Sequence, residues 1–292
     1  MNALLVGAVL ISFSSVMVVL AGLPPEVTGF YRLTGGGLAM LALLVRMGKL
    51  RLFTPDVIKW GTVAAVFFAG DFIFWHRSIA YVGPGLSTML ANFQVIPLAV
   101  VSALFFKERL PGRMFAAIPL ALAGLYLMVG VSWSGFAADY RLGVFFGLLT
   151  ACFYALYMLS LKYALARDRM DSLVLASAAA IATGLMLGAL ALAEGQSFVI
   201  PSLKSLAAIS ALAFICHAVG WFLITRGIQT VRGALVGLIL LLQPTLSFVW
   251  DILFFAKPVD PVELSGVALA LVGIYIGSNA KMGRRRTASP RS

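Results

Sequence analysis

Titratable side chains interrupt several long apolar stretches of this sequence. Asp71 lies in one such stretch, and the two histidines of the chain, His76 and His217, lie in others. A charged group at membrane depth costs a few kcal/mol on insertion scales, so such groups are candidates for function. Asp71 can bind a cationic group or carry a coupling proton, and histidine suits proton coupling because it titrates near neutral pH. Structural roles are the alternative: Asp71 can pair with Arg77 or Arg32, and each histidine can join two helices.

Amide side chains form a second group of candidates. Asn92 and Gln94 lie in one apolar stretch, and Gln243 lies in another. Their amides can hydrogen-bond a solute, but they can equally join helices, an interaction worth about 0.6 kcal/mol on average in membranes. Pro97 and Pro244 follow in the same two stretches, where the loss of a backbone hydrogen bond makes them candidate hinges.

Aromatic side chains complete the candidate site. Trp75 lies four residues after Asp71 and therefore shares its face of a helix, and Trp221 offers a second indole. Both rings can stack on a flat solute, although packing against helices or lipid is the commoner role. The predicted substrate-binding residues are Asp71, Trp75, His76, Asn92, Gln94, His217, Trp221 and Gln243.

No cofactor or metal site is expected from the sequence. Cys152 and Cys216 lie in apolar runs, where cysteine usually behaves as a small hydrophobe, and no carboxylate accompanies the histidines with metal-ligand spacing. The motifs Gly-x-Ser-x-Gly and His-Glu-x-x-His are absent, as is a paired Asp motif within the apolar runs. This absence argues against an intramembrane enzyme, the alternative from a different functional class.

The composition requires a lipid environment. Of the 292 residues 61% are hydrophobic and 11% are charged, compared with about 25% charged in a typical soluble domain. So few charges cannot cover a soluble surface. The net charge of +11 does not indicate nucleic-acid binding, because the basic residues lie in short gaps between apolar runs instead of on one face.

About 20 mainly apolar residues cross a bilayer as a helix, and the sequence contains ten such segments. Proline, glycine and charged residues separate them, for example at Gly83-Pro84-Gly85. Residues 281–292 follow as a polar, basic tail. The predicted spans are 3–22, 27–46, 58–78, 85–106, 114–132, 142–162, 173–193, 205–225, 234–255 and 263–280.

The distribution of basic residues predicts the orientation. With the N-terminus in the cytoplasm, 17 lysine and arginine residues fall on the cytoplasmic side and 5 on the other side. Such an excess over short loops follows the positive-inside rule, and an even number of spans then leaves both termini in the cytoplasm. Arg32 and Arg77 fall near the outer boundary, where their side chains can extend to the lipid interface.

The chain matches itself at a shift of 149 residues. This shift spans five helices, and because five is odd, the two halves cross the membrane in opposite directions. Such inverted repeats are typical of secondary transporters and disfavour a membrane scaffold or receptor. The most informative matches are Arg77 with Arg226, Gln94 with Gln243, Gly124 with Gly273 and Tyr126 with Tyr275.

The same segments resemble a known family. They are Trp75 to Ile79, Leu90 to Gln94 with Pro97, Phe106-Lys107-Glu108-Arg109-Leu110, Gln243-Pro244, and Gly266 to Tyr275. Together they look like the drug/metabolite transporter superfamily, and more closely its EamA-like family, over residues 3 to about 280. The chain departs from the pattern at Lys257, where the second half usually repeats the glutamate that stands at Glu108 in the first half.

The resemblance implies an all-α integral membrane protein of ten helices in two inverted five-helix repeats, residues 1–132 and 142–280. It also implies a pore between the halves, alternating access and a small organic solute. Proton coupling and a monomer or homodimer are expected, with no nucleic acid as partner. The expected location is the inner membrane of a bacterial cell.

The leading functional hypothesis is a secondary active transporter that exports a small metabolite, such as an amino acid. An importer of a vitamin or a nucleoside-like metabolite is the alternative. The repeat places the expected binding site at the middle of the membrane, between the third, fourth, eighth and ninth helices.

Overall fold

The computed structural model describes residues 2–94, 96–98, 100–101, 112–130, 135, 137–168, 170–228, 240 and 242–278. The predicted tail at 281–292, the end of the fourth predicted span and the beginning of the ninth lie outside these residues.

The described residues form helices joined by short connections. Two π-helical segments, Tyr126–Gly130 and Ala211–Val219, and two 3₁₀ turns, Leu50–Leu52 and Asn92–Gln94, continue or connect them. The α-helices are α1 (Asn2–Ser12), α2 (Ser14–Ala21), α3 (Pro25–Arg46), α4 (Pro55–Ala91), α5 (Met114–Leu125), α6 (Ala138–Asp168), α7 (Ser172–Ala193), α8 (Leu203–Ser210), α9 (Gly220–Ile228), α10 (Leu242–Phe255) and α11 (Pro261–Ser278).

Six helical stretches of the described chain are long and apolar enough to cross a membrane. Three shorter apolar helices lie at the predicted fifth, ninth and tenth spans: Met114–Met128, Leu242–Phe255 and Pro261–Ile276. All-helical architecture with several candidate spans is the architecture of a membrane protein, as the composition predicts.

The longest of these helical stretches, Pro55–Leu98, contains both the third predicted span and part of the fourth. Within α4, Gly83 has φ 82° and ψ 165°, a non-helical conformation that divides the helix into two parts. Glycine adopts this conformation without the steric cost of a Cβ, and Pro84 suits the first position of the helix that follows. The break therefore falls within the predicted Gly83-Pro84-Gly85 signal.

Polar side chains begin the helices at the predicted loops. The Thr54 hydroxyl accepts a hydrogen bond from the backbone N–H of Val57, and Pro55 starts α4. The Asp171 carboxylate accepts the N–H groups of Leu173 and Val174 at the start of α7. These contacts satisfy backbone donors that a helix cannot satisfy internally.

Asp171 also joins two loops at one end of the bundle. Lys49 Nζ lies 2.7 Å from Asp171 Oδ2. Partial burial raises the pKa of Asp171, but the hydrogen bonds from Lys49 and from two backbone N–H groups lower that pKa more, so it lies below its ordinary value. We call this side of the molecule the Lys49 end.

The opposite end carries a larger polar network, about 33 Å away along the 22 residues of α3 at 1.5 Å per residue. Arg77 Nη2 lies 3.1 Å from Glu26 Oε1 and 3.9 Å from Glu194 Oε1. Gln196 Nε2 donates to Glu26 Oε2 at 2.7 Å. Glu26 is 2% exposed, so the network satisfies an otherwise buried charge at what we call the Glu26 end.

Helices from the two halves of the chain pack against each other throughout the bundle. The most extensive pairs are α4 with α6 and α7, α3 with α7, and α5 with α11. α1 packs on α9 and α10, and α10 also packs on α4. Each large interface therefore joins one helix before residue 130 to one after residue 138.

The α5–α11 interface is built on two glycines. A Cβ placed on Gly124 would lie 2.7 Å from Ala270 Cα and 2.7 Å from the Gly266 carbonyl oxygen. A Cβ on Gly273 would lie 2.9 Å from Ala121 Cα and 3.0 Å from the carbonyl oxygen of Ala117. Small residues let membrane helices approach to backbone contact, where dispersion replaces the missing hydrophobic force.

We expect Gly124→Ala and Gly273→Ala each to destabilise the protein, because the added methyl overlaps backbone atoms that cannot move independently. Overpacking of this kind costs about 1–3 kcal/mol. Thermal unfolding of the detergent-purified protein measures the effect as a lower melting temperature. Gly112→Ala is the matched control, since a Cβ there meets nothing within 4 Å. Equal melting temperatures for all three variants would contradict this account of the interface.

Candidate functional site

A cavity of about 130 Å³ lies inside the bundle. Its wall is formed by residues of α1, α2, α3, α4, the 3₁₀ turn after α4, α6, α9 and α10. The predicted third, fourth, eighth and ninth spans all contribute, and the first, second and sixth spans contribute as well. Both halves of the chain therefore supply the wall.

Asp71 lies near the middle of the membrane-crossing part of α4. It is about 24 Å along the helix from Pro55 and about 18 Å from the break at Gly83, at 1.5 Å per residue. The side chain is 7% exposed and lines the cavity. The carboxyl group is therefore inside the protein and far from either end of this helical segment.

Six of the eight predicted site residues line this one cavity. They are Asp71, Trp75, Asn92, Gln94, Trp221 and Gln243. The two glutamines come from equivalent positions of the 149-residue match, one from each half of the chain. Asn92 also donates from Nδ2 to the carbonyl oxygen of Thr88 in its own helix at 2.8 Å, so part of its hydrogen-bonding capacity is structural.

The two histidines lie outside this wall. His76 is buried between the rings of Phe72 and Trp75 and the backbone of α3 near Gly29. His217 is buried against α3 at Gly36. Within the described chain, His76 Nε2 and His217 Nδ1 have no hydrogen-bond partner. Helical periodicity directs these rings toward α3, which the sequence alone does not reveal.

The candidate hinges lie close to the cavity. Pro97 falls in the helical turn after Gln94, and Pro244 is buried in α10 directly after Gln243. Their role as hinges stays a prediction.

Arg32 is the cationic residue of the cavity wall, and the expectation that its side chain extends to the lipid interface is wrong. The side chain is 5% exposed and lines the cavity opposite the aromatic rings of α4. Its guanidinium carbon lies 4.9 Å from the ring centre of Phe72 and 5.4 Å from that of Trp75. The signal was present in the sequence, since an arginine eight residues into an apolar helix is a functional candidate by the rule applied to Asp71.

Arg77 does not neutralise Asp71. Its described ion pairs are with Glu26 and Glu194 at the Glu26 end, so the structural alternative in which Arg77 pairs with Asp71 is wrong. Arg32 and Asp71 do interact electrostatically, but they form no ion pair within 4.0 Å.

A second, larger cavity of about 660 Å³ adjoins the first. The two share Phe68 and Trp221, and the second is lined mainly by apolar side chains of α6 and α7. Its wall includes Lys162 and Ser172, and Ser172 directly follows the Asp171 of the Lys49 end. An apolar space thus extends from the polar cavity toward one end of the bundle.

Toward the Glu26 end, the side chain of Asp251 in α10 contacts the backbone of α4 and fills the space between the two helices. Its Oδ2 accepts the backbone N–H of Gly85 at 3.0 Å, one of the donors left free where the helix restarts after Gly83. The carboxylate is 3% exposed. A Cβ on Gly85 would lie 2.9 Å from both Asp251 Oδ2 and Phe248 Cα, so the contact requires glycine at that position.

Hydroxyl groups extend this contact beside the cavity. Ser247 Oγ lies 2.6 Å from Ser15 Oγ and 3.2 Å from Thr88 Oγ1. Trp250 Nε1 donates to Ser12 Oγ at 2.9 Å. α10 is therefore held to α1, α2 and α4 by hydrogen bonds on the Glu26 side of the polar cavity.

Asp251 was not among the predicted site residues, and neither was the hydroxyl seam, the group formed by Ser12, Ser15, Thr88 and Ser247. Asp251 follows Trp250 within an apolar run, and the cost of membrane charges could have identified it. Its partner is a backbone amide, which no side-chain motif reveals.

Several helices that are long and apolar enough to cross a membrane, packed around an internal polar cavity, define a multi-pass membrane protein. The model of the EamA-like transporter family matches residues 2–130 and 141–278. The chain therefore belongs to the EamA-like transporter family.

Curated relatives agree with this assignment. "Uncharacterized inner membrane transporter YhbE" of Escherichia coli K12 is 28% identical over 170 residues, which are 55% of this chain and 51% of that protein. The match thus spans about half the length of that relative. An "Uncharacterized transporter" of Archaeoglobus fulgidus is 27% identical over 281 residues, 94% of each chain.

A solved crystal structure has the same fold. It superposes with a TM-score of 0.68 over 94% of this chain and 96% of the other chain, at 20% sequence identity. At this identity the similarity concerns the fold alone.

We expect Asp251→Ala to loosen the closure at the Glu26 end. The variant leaves the Gly85 N–H without an acceptor, which costs about 1–3 kcal/mol, or roughly a five- to 150-fold shift in an opening equilibrium. The measurement is the rate at which a water-soluble maleimide labels a cysteine at Thr88, in a Cys152→Ala background. Asp251→Asn retains an acceptor oxygen and should label more slowly than Asp251→Ala.

Asp139→Ala is the control for this experiment, because Asp139 is an exposed acid in the first turn of α6. Equal labelling rates in Asp251→Ala and Asp139→Ala would contradict the closing role of Asp251.

Proposed function

We propose that this protein is a secondary active transporter that exports a small organic metabolite, such as an amino acid, by alternating access. The observation that carries the proposal is the mid-bundle cavity whose wall combines an acid, a cation, amides and indoles. Charged groups are retained at such depth where they serve a solute or ion path. The name of the Escherichia coli relative supports a location in the inner membrane.

We further propose that the two segments matched by the family model are inverted repeats. The α5–α11 interface supports this reading, because its contacts exchange under the 149-residue shift. Gly124 against Ala270 becomes Gly273 against Ala121, and Gly124 against Gly266 becomes Gly273 against Ala117. A pseudo-two-fold axis through such an interface gives the two halves equivalent but opposite roles.

Alternating access requires that the cavity open to one end at a time. The Glu26 end is held by the Asp251–Gly85 contact and the hydroxyl seam, while the Lys49 end has the adjoining apolar cavity. This asymmetry supports a conformation that is closed at the Glu26 end and can receive solute from the Lys49 end.

Export follows if the Lys49 end is cytoplasmic. The excess of basic residues on that side supports this orientation, with both termini in the cytoplasm. A cavity that accepts solute from the cytoplasm while the outer side is closed is the loading state of an exporter. Asp71 interacts electrostatically with Arg32, Tyr154 and Tyr157. Binding and release of a proton by Asp71 would supply the driving force for transport.

Transport by the purified full-length protein in proteoliposomes tests this proposal. We expect labelled amino acids to move under an imposed pH gradient, with the efflux direction favoured, and nucleosides and vitamins to move slowly. Faster import of a vitamin or nucleoside would favour the importer alternative. Failure of every solute in the panel to move, in liposomes that contain correctly folded protein, would overturn the proposal.

We expect Asp71→Asn to abolish the dependence of transport on the pH gradient, because the amide cannot carry a proton. Counterflow of the same solute without a gradient should persist, since exchange needs no net proton movement. Asp139→Asn removes an exposed carboxyl at the start of α6 and serves as the matched control. Unchanged pH dependence in Asp71→Asn would exclude Asp71 as the proton carrier.

A further inference from the structure

Arg32 is a buried cation for which the described part of the chain supplies no direct counterion. Its Nε and Nη1 atoms have no hydrogen-bond partner. The hydrogen bond that it makes runs from Nη2 to the neutral hydroxyl of Ser14, at 3.4 Å. An unpaired charge in an apolar interior is costly, so this part of the cavity wall is electrostatically incomplete.

Asp71 does not act as a direct counterion for Arg32. The two side chains share one wall and interact electrostatically, yet no nitrogen of Arg32 lies within 4.0 Å of an Asp71 oxygen. The cavity wall therefore contains a guanidinium group and a carboxyl group that form no direct ion pair with each other. A solute with both charges would neutralise both groups, whereas a neutral solute would neutralise neither.

The rings of Phe72 and Trp75 hold the guanidinium without using its N–H donors. Their centres lie 4.9 and 5.4 Å from Arg32 Cζ, within the range of a cation–π interaction. Such contacts position the charge and offset part of the burial cost. The donors stay free for an anionic ligand, and arginine matches a carboxylate in shape and hydrogen-bonding pattern.

We propose that Arg32 binds a carboxylate of the transported solute and that Asp71 faces the solute's cationic group. This inference rests on the proposed transport function and narrows its substrate class to zwitterions of the amino-acid type. The cavity of about 130 Å³ has the volume of roughly four liquid water molecules. This volume suits the charged end of an amino acid, with the adjoining apolar cavity available for its side chain.

Matched acid and amide probes test the inference on the purified full-length protein. The probes are L-leucine, L-phenylalanine and L-threonine, each paired with its carboxamide, which keeps the ammonium group but lacks the carboxylate. Sodium acetate and sodium chloride are added separately to detect a site for any small anion. The readout is the dissociation constant from ligand-induced shifts in thermal unfolding.

In the wild-type protein we expect at least one acid to bind about tenfold or more tightly than its amide. Arg32→Gln should abolish that preference, and Arg32→Lys should retain part of it. The ligand-free Arg32→Gln protein should melt at the same or a higher temperature, because the variant removes an unpaired buried charge. Arg113→Gln removes an exposed positive charge just before α5 and should change neither property.

Equal binding of acid and amide by the wild type would overturn the inference, as would binding of none of the acids. A preference that survives Arg32→Gln would also overturn it.

Acetate or chloride that binds as tightly as the amino acids would instead identify a small-anion site. A lower melting temperature of ligand-free Arg32→Gln, with acid and amide binding weakened to the same extent, would assign Arg32 a structural role. If the binding experiments contradict the expected preference while the proteoliposomes still transport solutes, the substrate assignment is wrong and the transport proposal is unaffected.

Discussion

A membrane interior offers no water to buried polar groups, so each such group must find its partner within the protein. Glu26 meets this requirement through Arg77 and Gln196, and Asp251 meets it through the free N–H of Gly85. The Gln196–Glu26 and Gly85–Asp251 hydrogen bonds join segments that are 170 and 166 residues apart in the sequence. Two nitrogens of the Arg32 guanidinium lack such a partner in the described chain, and this unpaired charge is the reason for the proposal that the cavity binds a charged solute.

Close backbone packing makes these partnerships possible. Gly85 lets α10 bring Asp251 to the restarted helix of α4, while a Cβ on Gly184 would lie 2.7 Å from the backbone nitrogen of Thr34. Lipid is as apolar as the side chains it contacts, so helix association relies on such fits and on hydrogen bonds. Glycine therefore serves the polar network as well as the packing, because a larger residue would separate donor from acceptor.

Sequence reasoning predicted the helical architecture well because hydrophobic length and loop signals are local properties. The break near Gly83 is of this kind, and so are the ends of the predicted spans between which Thr54 and Asp171 lie. It predicted less about which side chains share a space. His76 and Arg32 are both polar residues in apolar helices, yet only Arg32 lines the polar cavity. In a bundle whose helices are apolar on every face, periodicity does not tell which face meets the cavity.

In the proposed repeat, the two ends of the bundle are formed by similar helices but are closed by different contacts. The positions equivalent to Asp251 and Gly85 under the 149-residue shift are Ser102 and Ala234. Ser102 has no carboxylate, and Ala234 carries a Cβ where the observed contact requires glycine. If the halves exchange roles as proposed, the sequence of the other half offers no equivalent of this carboxylate–glycine contact. The two conformations then differ in free energy when empty, and a solute can drive the exchange only by binding more tightly to the less stable one. A zwitterion that bridges Arg32 and Asp71 could supply this difference, because its charges neutralise both groups while the helices rearrange around it.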